Sequence, residues 1–416
     1  MMSRIKTVAL GLACSLAIGG AARVVAGPGQ RVLNVHSFTL DNPPEAAEGL
    51  LAGGFSGITH IPGDPPNIVY AINDRGPAGE VDGRRTFPSP DLIPSIWKLK
   101  LSGSGLEILE RIPLRRPDGT PLTGLPNLPG VDEHLYDATG EHPVGYDPHG
   151  IDPEGIAYNP VDNTFWICDE YKSVTQVRRD GRIIRRVVPQ GWAAQLGTPY
   201  VQDGLPAYFS TMPRNRGFEA IAVTPSGDRV IAAAQTPLDH PSSAVGRESL
   251  HTRIVVLDSR TGSQVAEYIF PRESVANYPG ILQVDVNIGD IEALEGDRLV
   301  VVERDKSLGA AAKLKKIFIA DFSRATNVKN LAGIGGKTLE AMSTDELRAH
   351  GIVPMTKELI VDVLQAIPGY PFEKLEGLAL IDGGKKMILC IDNDYGLEAP
   401  FADPTCHRLM FQHAIR

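Results

Sequence analysis

Five short stretches of this sequence set a polar residue, usually acidic, ahead of a small residue and an apolar run. They are "GFSGITHIP" (54–62), "DPEGIAYNP" (152–160), "GFEAIAVTP" (217–225), "GDIEALEGD" (289–297) and "KLEGLALID" (374–382). Aligned, their polar positions are Ser56, Glu154, Glu219, Glu292 and Glu376. A second series ends the apolar run that follows each stretch. It comprises Asp74, Asp169, Gln235, Glu303 and Asp392, with Arg75, Glu170, Arg304, Asn393 and Asp394 close behind, and Arg216 stands just ahead of Glu219. Carboxylates gathered in a partly dry place take up protons, pair with arginines or hold a cation. A hard divalent cation such as Ca2+ takes about six to eight oxygen ligands, which such a set supplies. Too few imidazoles and thiols stand near these motifs, His149 among them, and Cys168 ends an apolar run, so zinc is not indicated.

This chemistry gives each residue an expected role. Glu219, Glu292, Asp169 and Glu303 are the candidate catalytic acids and bases. Glu154, Glu219, Glu292, Glu376 and Asp392 are the candidate ligands of a divalent cation, Ca2+ by preference. Arg75, Arg216 and Arg304, with Asp74, are the candidate substrate-binding set, the guanidinium forks suiting an anion such as phosphate. Any one of these residues has a plainer alternative, since Asp caps turns and Glu beside Arg forms structural ion pairs. The set argues more strongly than its members, because separate units converge on one pattern.

The elements that must position them are repeated too. "EGIAYNPVDN" leads to "TFWICDEY", "EAIAVTPSGDR" to "VIAAAQTP", "EALEGDR" to "LVVVERD" and "EGLALIDGGKK" to "MILCIDND". Two apolar runs around a turn of Pro, Gly, Asp and Asn predict a hairpin. Alternating stretches such as 174–188 and 252–270 supply outer strands. Four strands per unit around an axis predict an all-β fold, a β-propeller with four-stranded blades. Five repeats are countable, so five or six blades are expected, a sixth falling within 115–150 or 330–373. The start of each first strand and the end of each second strand then share one mouth. "RVLNVHSFTL" (31–40) can supply the last unit's missing strand. Residues 115–150 read as a long loop. "STDELRAHG", with Ser343 as N-cap, and "MTKELIVDVLQAIPG" predict a small helical insertion near 340–368.

The first residues are expected to be removed. Arg4 and Lys6, an apolar core and a small-residue exit at Val24, Val25 and Ala26 predict a signal peptide over 1–26, leaving one domain over 27–416. The charge of −9 then becomes 50 acids against 38 bases, or −12, a poor match for nucleic acid or anionic lipid. No membrane span is expected, and the mature chain is expected to be periplasmic or secreted and monomeric. Cys390 and Cys406 can form a disulfide in such a compartment. "GIGGKT" (333–338) has Leu331 where a phosphate loop needs its first Gly, and no Gly-x-Ser-x-Gly elbow occurs.

"FSGI" with "NDRG", "DPEGIA" with "DEY", "NRGFEAIAV" with "AAQTPL", "VVERD", and "EGLALI" with "DND" resemble the exported bacterial phytase-like proteins, the "esterase-like activity of phytase" family. The resemblance runs from about residue 50 to the C-terminus. It implies a β-propeller near the calcium-bearing propellers, and hydrolysis of phosphoesters or carboxylic esters as small-molecule substrates. It carries no catalytic assignment residue by residue, and Gln235 stands where the family pattern often has Glu. Two other expectations stand beside the hydrolase. One is a non-catalytic propeller that binds a ligand or protein partner with structural calcium; the other is a sugar-lactonase-like metal hydrolase.

Overall fold

The computed structural model describes residues 31–396 and 403–416 together with the backbone of Val24–Val25; the expected signal peptide otherwise lies outside the described residues. The five repeated stretches become the first strands of five antiparallel units: β1 (Phe55–Thr59), β2 (Pro153–Asn159), β3 (Phe218–Val223), β4 (Asn287–Leu294) and β5 (Lys374–Ile381). Each turns back into its second strand: Ile68–Asn73, Thr164–Asp169, Arg229–Ala234, Arg298–Arg304 and Lys386–Asp392. Two further strands complete each unit, and the β2 unit carries a third, Val201–Leu205, paired parallel to Ile183–Pro189. The last unit takes its fourth strand from the other end of the chain, Arg31–Thr39 lying antiparallel to Thr405–Phe411. A single pair, Gly105 with Thr39, joins that strand to the β1 unit and merges the two into one long sheet. A Cys390–Cys406 disulfide links two directly paired strands there. Among the described residues there is no sixth four-stranded sheet.

The first strands form a closed circuit. β1 packs on β2, β2 on β3, β3 on β4, β4 on β5, and β5 on β1 again. The apolar side chains fall into separate cores, five of them between adjacent units and two beneath the inserts. Tyr70 and Ile72 meet Ile156 and Phe165, Trp166 and Cys168 meet Ile221 and Val230, and Val300 and Val302 meet Leu375 and Leu389. A sheet covered on both faces needs apolar residues on both, which is why "VIAAA" and "LVVV" are continuous runs.

The same crowding explains the small residue of the repeat. A Cβ on Gly155 would lie 2.9 Å from Glu219 O of β3 and 2.9 Å from Cys168 Sγ, and one on Gly57 would lie 2.6 Å from Glu154 O. The small residue is the point where one first strand crosses the backbone of the next. Just before it each hairpin slips register, across Ser56, Glu154, Glu219 and Glu376. Such bulges re-aim a side chain out of the ladder. In β4 the slip spans Gly289 and Asp290, and Gly289 meets Leu375 O of β5. The fourth acid of the repeat is therefore Asp290, and the alignment on Glu292 is corrected by two residues.

The inserts divide. Thr344–Ala349 is a helix, and Ser343 caps it in a reciprocal box with Glu346. "MTKELIVDVLQAIPG" is not one helix: Thr356–Asp362 is the fourth strand of the β4 unit, paired with Lys315–Asp321, and only Val363–Ala366 is helical. Ile360 and Val361 reach the core between the last two units, and that burial overrides local spacing. Residues 115–150 hold only isolated bridges, as a loop should.

The crossing contact is testable. Gly155→Ala is expected to destabilise the chain by about 1–3 kcal/mol through overpacking. Leu282→Ala, at a side chain 64% exposed, should stay within about 0.5 kcal/mol. Urea unfolding midpoints read both, and an unmoved midpoint for Gly155→Ala would mean the strands do not meet there.

Candidate functional site

A cavity of about 330 Å³ opens where the first strands begin and the second strands end. Of the residues expected to act, Asp74, Arg75, Glu154, Arg216, Glu219, Arg304 and Glu376 line it, and Glu170, Gln235 and Asp394 join them. Asp392 offers a carboxylate oxygen within 4.8 Å of those of Asp74 and Asp394. Four separate first strands and their return strands thus deliver side chains to one mouth.

Three expected residues lie elsewhere. Asp169 closes its own turn, accepting from Ser173 N at 3.0 Å and from the Ser173 hydroxyl. Glu303 is buried between the Lys357 ammonium and the Glu273 N–H (2.8 Å), tying its unit to the outer strand. Glu292 sits two residues past the β4 bulge and does not line the cavity. Asp290, which takes the repeat position, accepts from Leu378 N of β5 at 2.6 Å and serves as a strand-to-strand tie. β4 contributes Asn287 to the cavity instead.

Asp152, Asn215, Asn287, Lys306, Glu373 and Lys374 line the cavity without having been singled out. Two of them had a readable signal. Asp152 and Lys374 stand two residues ahead of Glu154 and Glu376, and a period of two keeps side chains on one face of a strand. The other four depend on how loops and the β4 bulge fall.

The cations differ in how far they are committed. Arg75 is saturated: Nε reaches Asp152 (3.2 Å), Nη1 the Tyr171 hydroxyl (3.0 Å), and Nη2 both Glu133 (2.6 Å) and Asn215 (2.8 Å). It ties the 115–150 loop to the mouth, and the expectation that it clamps substrate is corrected on that ground. Lys374 bridges Asp392 (2.6 Å) and Asp394 (2.5 Å). Arg304 gives Nη2 to Glu376 and stands 3.6 Å from Glu219, whose other oxygen accepts from Gln235 at 2.5 Å. Its Nε and Nη1 have no hydrogen-bond partner, nor do Glu376 Oε2, Ser56 Oγ or either amide atom of Asn287, and Glu219 Oε1 has only the 3.6 Å ion-pair contact with Arg304. Buried polar atoms are rarely left unpaired, and this many around one cavity mark a place where a polar ligand or ordered water binds.

Eight carboxylates line this cavity against six cationic side chains. Burial, then the neighbouring Glu219, holds Glu154 well above the usual range; burial, then Asp392, does the same to Asp74. Burial, then Asp152, puts Glu170 at about 8, and burial, then Asp392, puts Asp394 at about 7. Among the candidate oxygens, those of Asp74, Asp394 and Glu154 are thus ones for which a proton and a cation compete.

The sign of the resulting pH dependence follows. A carboxyl raised from 4.5 to about 8, as Glu170 is, binds its proton more tightly in the folded chain than in the unfolded one. That stabilisation is complete below the ordinary value and is lost as pH rises through about 8. In a chelating buffer the thermal midpoint is expected to fall between about pH 5 and about pH 8, and calcium should reverse more of the loss at the upper end. A midpoint that climbs across that window would contradict these assignments.

Comparison with known proteins agrees with the site's wide sequence footprint. The family described as "Phytase-like: Esterase-like activity of phytase" matches residues 51–395. A protein of Arthroderma benhamiae named "Uncharacterized secreted protein" is 23% identical over 296 residues, covering 59% of this chain. The chain spans 56% of that relative's length. The solved structure of U3-55K aligns over 90% of this chain and 98% of its own at 10% identity, with a TM-score of 0.38, too slight a likeness to argue from. The family match takes in all five first strands and every cavity residue named above, and the chain belongs to the phytase-like ("esterase-like activity of phytase") family.

Proposed function

We propose that this chain is an exported hydrolase of phosphoesters or carboxylic esters, built as a five-bladed β-propeller with its site at one mouth of the channel. The closed circuit of first strands and the pairing of Arg31–Thr39 into the last unit support the propeller. The secreted relative and the family support export and ester chemistry. The observation that carries the reading is the unpaired set: Arg304, Glu219, Glu376 and Asn287 present buried donors and acceptors side by side in one cavity.

The residues divide the work. Arg304, with the less buried Arg216 and Lys306, faces the cavity with positive charge suited to a substrate's anionic oxygen. Glu219, oriented by Gln235 and held largely protonated by burial and by Glu376, can move a proton to or from the reacting group. Asp74, Asp392 and Asp394 offer three hard oxygens at a spacing that fits a divalent cation, with Lys374 as the competing charge. Glu154 and Glu376 stand on the same cavity wall as further oxygens, whereas Glu292 drops out of the ligand set. A cation bound there supplies Lewis-acid polarisation of the ester oxygen.

A second reading, a non-catalytic binding module, is favoured by the ion pairs that already neutralise much of the mouth, at Arg75, Arg304 and Lys374. Metal analysis of the purified protein and a panel of phosphoesters, carboxylic esters and a sugar lactone, with and without chelator, separate the two. The expected result is turnover that chelator suppresses and that Glu219→Gln lowers by about 10²–10⁴. Calcium-dependent stabilisation without turnover on any substrate would decide for the binding module.

A further inference from the structure

A second cavity, about 390 Å³, lies beside the first and is used by nothing described so far. Its walls carry Lys172, Trp192, Met212, Arg214, Val131 and Asp239. Lys172 is the unusual member. It is 3% exposed, yet among the described residues no carboxylate lies within 4.0 Å of its ammonium. Its contacts are Ser210 O at a long 3.4 Å and the face of Trp192, 5.5 Å to the ring centre. An ammonium has three protons to place, and buried cations are normally paired.

The backbone is committed to this placement. Lys172 has φ of +63°, a left-handed conformation costly for a residue with a side chain. Asp169 holds it there, since its carbonyl accepts from Lys172 N (3.1 Å) and its carboxylate from Ser173 N. One turn therefore sends Glu170 into the first cavity and Lys172 into the second. Across the second cavity Arg214 is exposed, its backbone-anchored guanidinium bonded to Val131 O (3.1 Å) and Gly130 O (3.0 Å). Of the acids that act on Lys172, Asp132 and Glu170 lie outside this lining and none is within ion-pair distance, so the cavity itself sets two cations beside one acid, Asp239, with Trp192 and Met212 as its apolar wall.

We propose that this second cavity binds an organic anion with a flat apolar body, of which an aromatic carboxylate is the simplest member. The carboxylate completes the hydrogen bonding of Lys172, with Arg214 as the outer cation, and the body lies against Trp192 and Met212. The assignment stands on these residues alone and holds whether the first cavity is catalytic or not.

The probe is 2-naphthoate, titrated calorimetrically into the full chain beside 2-naphthamide, its neutral counterpart, and acetate. Naphthoate is expected to bind at least about tenfold more tightly than either, as one charge-assisted hydrogen bond implies. Lys172→Met should weaken naphthoate by about tenfold or more and leave naphthamide unchanged, while Glu219→Gln leaves both unchanged. Arg214→Gln, at an exposed side chain, tests the same pocket if Lys172→Met does not fold, and should weaken naphthoate at least about threefold. Naphthoate no tighter than naphthamide, or binding lost in Glu219→Gln and kept in Lys172→Met and Arg214→Gln, overturns the proposal.

Discussion

The close approach of each first strand to the next constrains everything else in this molecule. Where β1 meets β2 and β2 meets β3, backbone of one strand fills the space that a Cβ of the other would need. That contact requires glycine at Gly57 and Gly155, whereas the β3 unit carries Ala220 at the equivalent place. It also forces the hairpin to bulge just before, because a regular ladder cannot bring its edge so near the neighbouring strand. The residue on the bulge is turned out of the ladder, and in three units it is a glutamate facing the shared cavity. Close packing and site geometry are consequences of one steric fact.

Concentrating acids in this way creates an electrostatic problem that the structure meets in three ways. Some carboxylates are tied to cations, to the buried Arg75 and Arg304 and to the half-buried Lys374. Others become structural ties: Asp290 grips the backbone of the next strand, and Asp169 closes a turn. The remainder, Glu154 and Asp74 foremost, bind a proton more readily than ordinary carboxylates, through burial and then the neighbouring acids.

Most of the architecture was legible because each unit repeats its hydrophobic pattern and turn chemistry. The hairpins, the capped helix after Ser343 and the closing strand from Arg31 could all be read. The fourth strand of the β4 unit could not, since Thr356–Asp362 carries helix-like spacing and becomes a strand only against Lys315–Asp321. At the site, Glu154, Glu219 and Glu376 were legible through their shared "E-small-apolar" context. Glu292 was misleading because β4 bulges two residues earlier, at a Gly–Asp pair that looks like a spacer in the linear chain.

By itself, then, the sequence determined the repeating unit, its all-β character and the residue types that gather at one mouth. Periodicity and turn preference are local properties, readable one unit at a time. Only the tertiary structure decided which acids share the cavity, which cations are already spent, and that the turn at 169–173 feeds a second cavity through Lys172. Those outcomes depend on a one-residue bulge and on which partner arrives from another unit. A shift of one residue turns a side chain from cavity to core, and no single unit encodes it.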